Sequence, residues 1–568
     1  MSNSRNACRL IGLAGAMSMS ACSAGAPGSA IGPEPYGIYP PRDLQSRRPL
    51  TRPERTGFSE TSRYADVMGF IDSLKSSSKE IYVTTMGRTS QGRDIPVVVI
   101  SRPVVRTPAD AKRLNRPIVY IQGNIHGGEV EGKEALLALL RDLARDQYLN
   151  VIDSLIIVTA PIYNIDGNEA VGPQETNRSE QNGPAIVGQR ANAQGLDLNR
   201  DYIKAEAPET RAALEFLRAW DPDVFMDLHT TDGSYHGYAL TWAPPLNPAA
   251  RFSGPFTRDT VLPAIRFALR TKERIETFAY GNFLSQDSTE RGWYTYDHRP
   301  RFGTNYYGLR GRMAILSEAY SHDPFRKRIA STYSFVSEVL SLLAANHEDI
   351  VEVGREADRR TTAFASMPNS SPPIAIRSRI TRSPHIEDML LEEIVRTADS
   401  TRYEPGMPPG LRRTGKLRNA KIPVFDRFDP VLEQKLPYAW IIPAQQAPLL
   451  EPLRRHGLFI EQVVERTTVH AERFLVDSVI QNPRPFQGHQ EIRVGGHWET
   501  DSLTIDPAMY VVRAGQPLGI LALYLLEPQS DDGLVTWNFT DAWLRSGRYP
   551  VSRVAERITV PLRQVRGN

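Results

Sequence analysis

An imidazole and a carboxylate three positions apart, His126 and Glu129, lie in the run IVYIQGNIHGGEVEGKEALLALLRDLA. The β-branched residues from Ile118 to Ile121 read as a buried strand and HGGE as a loop. Ala135, Leu136, Leu139, Leu140 and Leu143 then recur at helical spacing. Where a strand gives way to a helix, both polar side chains can turn toward one point. Zinc accepts such nitrogen and oxygen ligands, and a catalytic zinc takes three protein ligands plus water. The pair therefore asks for a third ligand. DPDVFMDLHTTDG offers His229, at the end of a strand from Val224 to Leu228. Ligands at the carboxyl ends of neighbouring strands converge in the crevice where open α/β sheets bind.

The residues between these ligands fit an anion. ANAQGLDLNRDY carries Asp197, Asn199 and Arg200, with Arg190 nine positions before Asn199. Arginine matches a carboxylate bidentately, and asparagine adds a neutral donor. Arg178 is a nearby alternative to Arg190. Asp197 reads either as a turn residue or as the acceptor for the free N–H of a ligating imidazole. Asn164-Ile-Asp-Gly167 reads as a turn with positive φ at Gly167. A general base is still needed. In GLRGRMAILSEAYSHDP a short strand, Met313 to Leu316, leads to Glu318, a carboxylate placed to take a proton from a metal-activated water.

The order HxxE, NxDG, R, GxDxNR, H and a late Glu at a strand end resembles the M14 zinc carboxypeptidase family over residues 58–350. The resemblance implies an α/β fold, a mixed and mostly parallel sheet flanked by helices. It implies one Zn2+ held by His126, Glu129 and His229. Asn199, Arg200 and Arg190 receive the substrate's C-terminal carboxylate, Arg190 also polarises the scissile carbonyl, Asp197 orients His126, and Glu318 is base and acid. The family uses a mobile Tyr over the substrate. Tyr296, 22 residues before Glu318, and Tyr306, in GTNYYGLRGR, compete for that place. The implied substrate is a peptide with a free C-terminal carboxylate. A second reading is a zinc-dependent N-acyl amino acid deacylase, which the GLDLNR cluster fits equally. A third is a non-catalytic, lipid-anchored binding protein.

These residues need a body and a location. MSNSRNACRLIGLAGAMSMSAC has Arg5 and Arg9 before an apolar stretch too short to span a membrane, which reads as a signal peptide over residues 1–21. Cys22 resembles the lipidated Cys of a bacterial lipobox. This implies an exported, periplasmic outer-membrane lipoprotein, touching membrane through that anchor at most. Cys8 and Cys22 are the two cysteines, so the mature chain has no intramolecular disulfide. Residues 22–57, rich in Pro and Gly, read as an extended tether, with folding starting near Phe58. Arg63 to Leu74 suits an amphipathic helix, and GRTSQGRDIPVVVIS a hairpin with turns at Gly87 and Gly92.

The length of 568 residues predicts more than one domain. A Ser- and Pro-rich stretch places a linker at 351–377 and a smaller mixed α/β or β-rich accessory domain at 378–568. Within it, LPYAWIIPAQQAPLLEPLRRHGLFIEQVV reads as strand, helix, strand, and MYVVRAGQPLGILALYLL as further strands. His470, His489 and His497 lack ligand spacing and read as structural or surface residues. A net charge of +3 with both signs interspersed argues against nucleic acid as the main partner.

Overall fold

The computed structural model describes residues 48–565, apart from 146–148, 285–288, 290, 367–370, 385, 400–408 and 560. Eight strands form the main sheet: β1 (Ile81–Arg88), β2 (Asp94–Ile100), β3 (Ile118–Gly123), β4 (Ile156–Ala160), β5 (Val224–Thr230), β6 (Leu240–Ala243), β7 (Thr277–Ala279) and β8 (Met313–Ala319). Their order is β1-β2-β4-β3-β5-β8-β6-β7. The centre, β4-β3-β5-β8, is parallel, and β3 to β5 and β8 are buried on both faces, as their apolar runs require. The chain leaves β3 for β4 on one side, then returns to β5 on the other. The crevice between the ends of β3 and β5 is therefore a topological switch point.

Helices α2 (Tyr64–Ser77), α3 (Glu131–Leu143), α4 (Pro208–Trp220), α5 (Gly303–Leu309) and α6 (Phe325–Ala345) pack on this sheet, with α1 (Arg52–Arg55) before them and α7 (His347–Ser366) against α6. Every residue of α3 is buried, charged ones included. Arg141 donates to Glu54 at 2.7 Å, Glu134 accepts from Thr61 and from the Ser62 backbone and hydroxyl, and Lys133 donates to the Ser62 carbonyl. The polar side of α3 is thus roofed by residues 51–62. The expected tether ends earlier than Phe58: Thr51 caps α1 with a reciprocal capping box, and Glu54 is buried. Proline content suggested an extended chain, but Pro53 sits in the first turn of a helix, where proline is tolerated. Breaking a buried pair leaves a charge uncompensated. Glu54→Ala is expected to lose about 3–5 kcal/mol in urea denaturation; a loss below 1 kcal/mol would mean that the roof contributes little.

The hairpin β1/β2 turns at Gly92 (φ 80°), whereas Gly87 marks a bulge where an added Cβ would meet that of Ala212 at 2.6 Å. Gly167 is helical, contrary to the expected positive φ. Asn164 caps that short helix, and Gly167 is required by crowding instead: a Cβ there would lie 2.6 Å from the Ala191 carbonyl.

Much of the expected linker is helix, since α7 runs to Ser366. Beyond it, a second sheet of seven strands pairs antiparallel throughout, dominated by the long hairpin β9 (Thr467–Gln481) and β10 (Ile492–Ile505). The strand–helix–strand reading around Leu450–Arg455 holds, with Gly457 left-handed at the helix end. The run GILALYLL, expected as strand, is a fully buried helix, Gly519–Leu526. An apolar run buried all round carries no periodicity to separate the two. One continuous buried cluster joins this region to the main sheet, including Trp440, Leu521 and Trp537 beside Tyr306 and Phe225.

Candidate metal centre

Asn124, in left-handed conformation just after β3, shapes the HGGE loop. Its Nδ2 donates to the carbonyls of His126, Gly127 and Glu129 at 3.0–3.2 Å, and the Glu129 N–H closes a turn onto the His126 carbonyl. The two glycines are there for space. A Cβ on Gly127 would meet the Gly167 backbone at 2.2 Å, and one on Gly128 the Gly188 carbonyl at 2.7 Å. His229 arrives from β5, in register with Glu318 on β8.

The ligand atoms of His126, Glu129 and His229 lie within 4.8 Å of one another, and all three residues are buried. Nδ1 of His126 is 2.8 Å from one Glu129 oxygen, and Nδ1 of His229 is 3.0 Å from the other. Each ring's second nitrogen faces another carboxylate at 3.0 Å: His126 Nε2 that of Asp197, and His229 Nε2 that of Asp227. Carboxylates behind the imidazoles fix tautomer and ring orientation, as in zinc sites. Burial would raise the Glu129 carboxyl, but His126 and Arg178 beside it, with hydrogen bonds from both imidazoles, hold it well below the usual range. A carboxylate kept ionised and two imidazoles kept in place are a donor set suited to zinc.

Glu318 shares this cleft. Burial pushes its carboxyl well above the ordinary value. His229 acts against that, and Glu129 and Asp232 add to it. Its Oε2 is buried without a hydrogen-bond partner among the described residues. A buried polar atom without a partner, on a residue that lines a cleft, calls for an explanation such as a group that enters that cleft.

The cleft is also lined by Arg190, Asn199, Arg200 and Tyr296. Arg190 Nε donates to Asp197 at 2.9 Å and its Nη1 donates to Glu129 at 3.4 Å. Arg200 lies 3.9 Å over the Phe302 ring, a cation–π contact that sets its plane. Asn199 Oδ1 accepts from the Gly303 N–H, and its Nδ2 lies 3.4 Å from Nε2 of His229, which leaves that group's second hydrogen for another partner. Arg178, the alternative to Arg190, is instead buried against Glu129 and the carbonyls of Thr230 and Thr231.

Tyr306 does not reach the cleft. It is fully buried on α5, where its hydroxyl bonds Nδ1 of His456 at 2.9 Å while Nε2 of that ring donates to the Ile203 carbonyl. Its place on a helix facing the C-terminal region turns it from the substrate side. His489, expected as structural, pairs with Glu206 at 2.7 Å; His497 is exposed.

Two neighbours were missed in the sequence. Asp227 had a signal: residues i and i+2 of a strand share a face, so Asp-Leu-His places Asp227 beside His229. Tyr280, which lines the cleft against Tyr296, had none.

Residues 67–297 match the family model described as zinc carboxypeptidase. Carboxypeptidase 2 of Trichophyton rubrum is 24% identical over 515 residues, covering 88% of this chain and 87% of that protein. The mouse carboxypeptidase N catalytic chain is 25% identical over 279 residues, covering 43% of this chain and 56% of its own length. Among solved structures, a metallo-carboxypeptidase from Burkholderia cenocepacia aligns with 50% of this chain and 70% of its own, at 16% identity and a TM-score of 0.37.

Proposed function

We propose, because residues 67–297 match the zinc carboxypeptidase family model, that this chain is an M14 enzyme that removes the C-terminal residue of peptides at the cleft holding His126, Glu129, His229 and Glu318. The observation that carries this reading is the buried, unpartnered Glu318 oxygen in the same cleft as the three ligands. Bound zinc supplies a Lewis acid that polarises a carbonyl and lowers the pKa of water. Arg200 and the Asn199 amide take the terminal carboxylate, which sets the scissile bond beside Glu318. Glu318, with its raised proton affinity, accepts the proton of the attacking water and returns it to the leaving amine. Arg190, held by Asp197, faces the oxyanion that develops on the carbonyl oxygen. Of Tyr296 and Tyr306, Tyr296 is the one in the cleft wall, placed to close over the bound end of the peptide, with Tyr280 packed beside it.

The test is mass spectrometry of a peptide pool, half C-terminally free and half amidated, with chelator and Glu318→Gln controls. Loss of single residues from the free peptides alone, abolished by both controls, supports the reading. Loss from neither set, with zinc bound, moves it to N-acyl amino acids.

Export and lipidation at Cys22 complete the proposal. The signal segment and Cys22 lie outside the described residues, and the support is their sequence. Among the described residues, no helix is long and apolar enough to cross a membrane. Cys22→Ser is expected to move the protein from the detergent phase to the aqueous phase in Triton X-114 partitioning. A wild type already in the aqueous phase would remove the anchor.

A further inference from the structure

The hairpin β9/β10 has a smaller bend at its end, and that bend reaches the metal centre's own frame. Phe486 and His489 pair as an antiparallel bridge, exchanging N–H···O bonds of 2.7 and 3.0 Å. Gln487 and Gly488 form the two-residue loop between them, with φ of 50° and 79°. Positive φ at both central positions marks the type I′ turn, which favours Asn-Gly or Gly-Gly. Glycine fits the second position. Glutamine at the first is the exception: an extended side chain held in left-handed backbone. Such outliers persist where their surroundings fix them, and they point to function.

The surroundings are visible. Gln487 Oε1 accepts the backbone N–H of Asp197 at 2.9 Å, across 290 residues of chain. Asp197 is the residue whose carboxylate meets His126 Nε2, the Asn199 N–H and Arg190 Nε. Both flanks of the turn are anchored to the same neighbourhood. His489 pairs with Glu206, and Phe486 lies under Arg301, which forks onto Asp532. Lys204 sits 4.9 Å over Trp537, the ring next to Phe486.

We propose that the Phe486–His489 turn of the C-terminal region belongs to the active-site frame, and that Gln487 is a positioning residue acting through Asp197. The side chain fills the hydrogen-bonding need of the Asp197 amide and so sets the angle at which that carboxylate meets its three partners. The C-terminal region is then a working part of the enzyme. This inference rests on reading the cleft as a carboxypeptidase site.

Two variants of the full chain test it. Gln487→Gly removes the acceptor and suits the left-handed backbone. Gln487→Met keeps length and backbone demand but also lacks the acceptor. Both are expected to lower kcat by about tenfold with KM little changed, the pattern of an interaction felt in the transition state. Both should weaken zinc binding in chelator competition by about tenfold, the lower end for partners behind a ligand. The glycine variant should melt no lower than the wild type. Wild-type kcat and zinc affinity in Gln487→Gly would overturn the proposal. So would a Gln487→Met variant that behaves as wild type while Gln487→Gly is impaired, since the acceptor would then be irrelevant. If Gln487→Gly fails to fold, Gln487→Met decides alone. If the wild type removes no residue from any peptide, the carboxypeptidase reading fails separately, and chelator competition still tests Gln487.

Discussion

Glu318→Gln is expected to bind zinc as the wild type does and to lose turnover by about 10²–10⁴-fold, the range for removing a general acid or base. The amide matches the carboxylate in shape but cannot accept the proton of the attacking water. Nothing else should be lost. The buried Oε2 of Glu318 makes no hydrogen bond to the described residues, so no partner of that oxygen is stranded. Burial disfavours the ionised carboxyl, so a neutral amide should leave the metal-free protein at least as stable. Metal analysis, a thermal melt and a progress curve on one peptide decide the matter. An active Glu318→Gln protein would take the proton-transfer role away from this residue.

His229→Ala should fail in a different way. Its imidazole contributes one of the three donor atoms and also lies between two buried carboxylates, Glu129 and Asp227. Removing it takes away a ligand and leaves both acids short of a partner. Zinc affinity should fall by more than the about 10–100-fold expected for Asp227→Asn, which touches the metal only through the ring. Turnover should vanish with it. The metal-free protein should also lose about 3–5 kcal/mol, as when one member of a buried ionic group is deleted. Chelator competition and urea denaturation of both variants separate the two effects. Wild-type zinc affinity in His229→Ala would place the metal elsewhere.

The three ligands were legible because each stands where a strand stops, and a strand end is visible in the sequence. β3 carries an unbroken apolar run from Ile118 to Ile121 that leads into the HGGE loop, and β5 is apolar apart from Asp227 up to His229. Asn199 and Arg200 were legible for a similar reason: the turn before them, with Gly195 at φ 76°, is written in Gly-Leu-Asp-Leu-Asn-Arg. What escaped depended on distant partners. Arg141 reads as a solvated helix charge until Glu54 is brought to it from 87 residues away. Tyr306 and Tyr296 are equal candidates until His456 claims one hydroxyl. Gln487 carries no chemical signature at all, and only a contact spanning 290 residues gives it one.

The roof over α3 sets a chronology for the chain. Arg52 and Arg55, beside Glu54, are made first, yet the helix they cover ends with residues made much later. At roughly 5–20 residues per second, the 87 positions between Glu54 and Arg141 take about 4–17 s to synthesise. For that interval the bond after Arg55 is open to a trypsin-like protease, whereas the bond after Arg52 is closed by Pro53. Once α3 forms, the buried part of the segment is withdrawn from attack. In the finished protein the Arg55 side chain stays exposed but its backbone is held in α1 next to buried Pro53 and Glu54, so a pulse of protease should cut after Arg55 faster during synthesis than in finished protein.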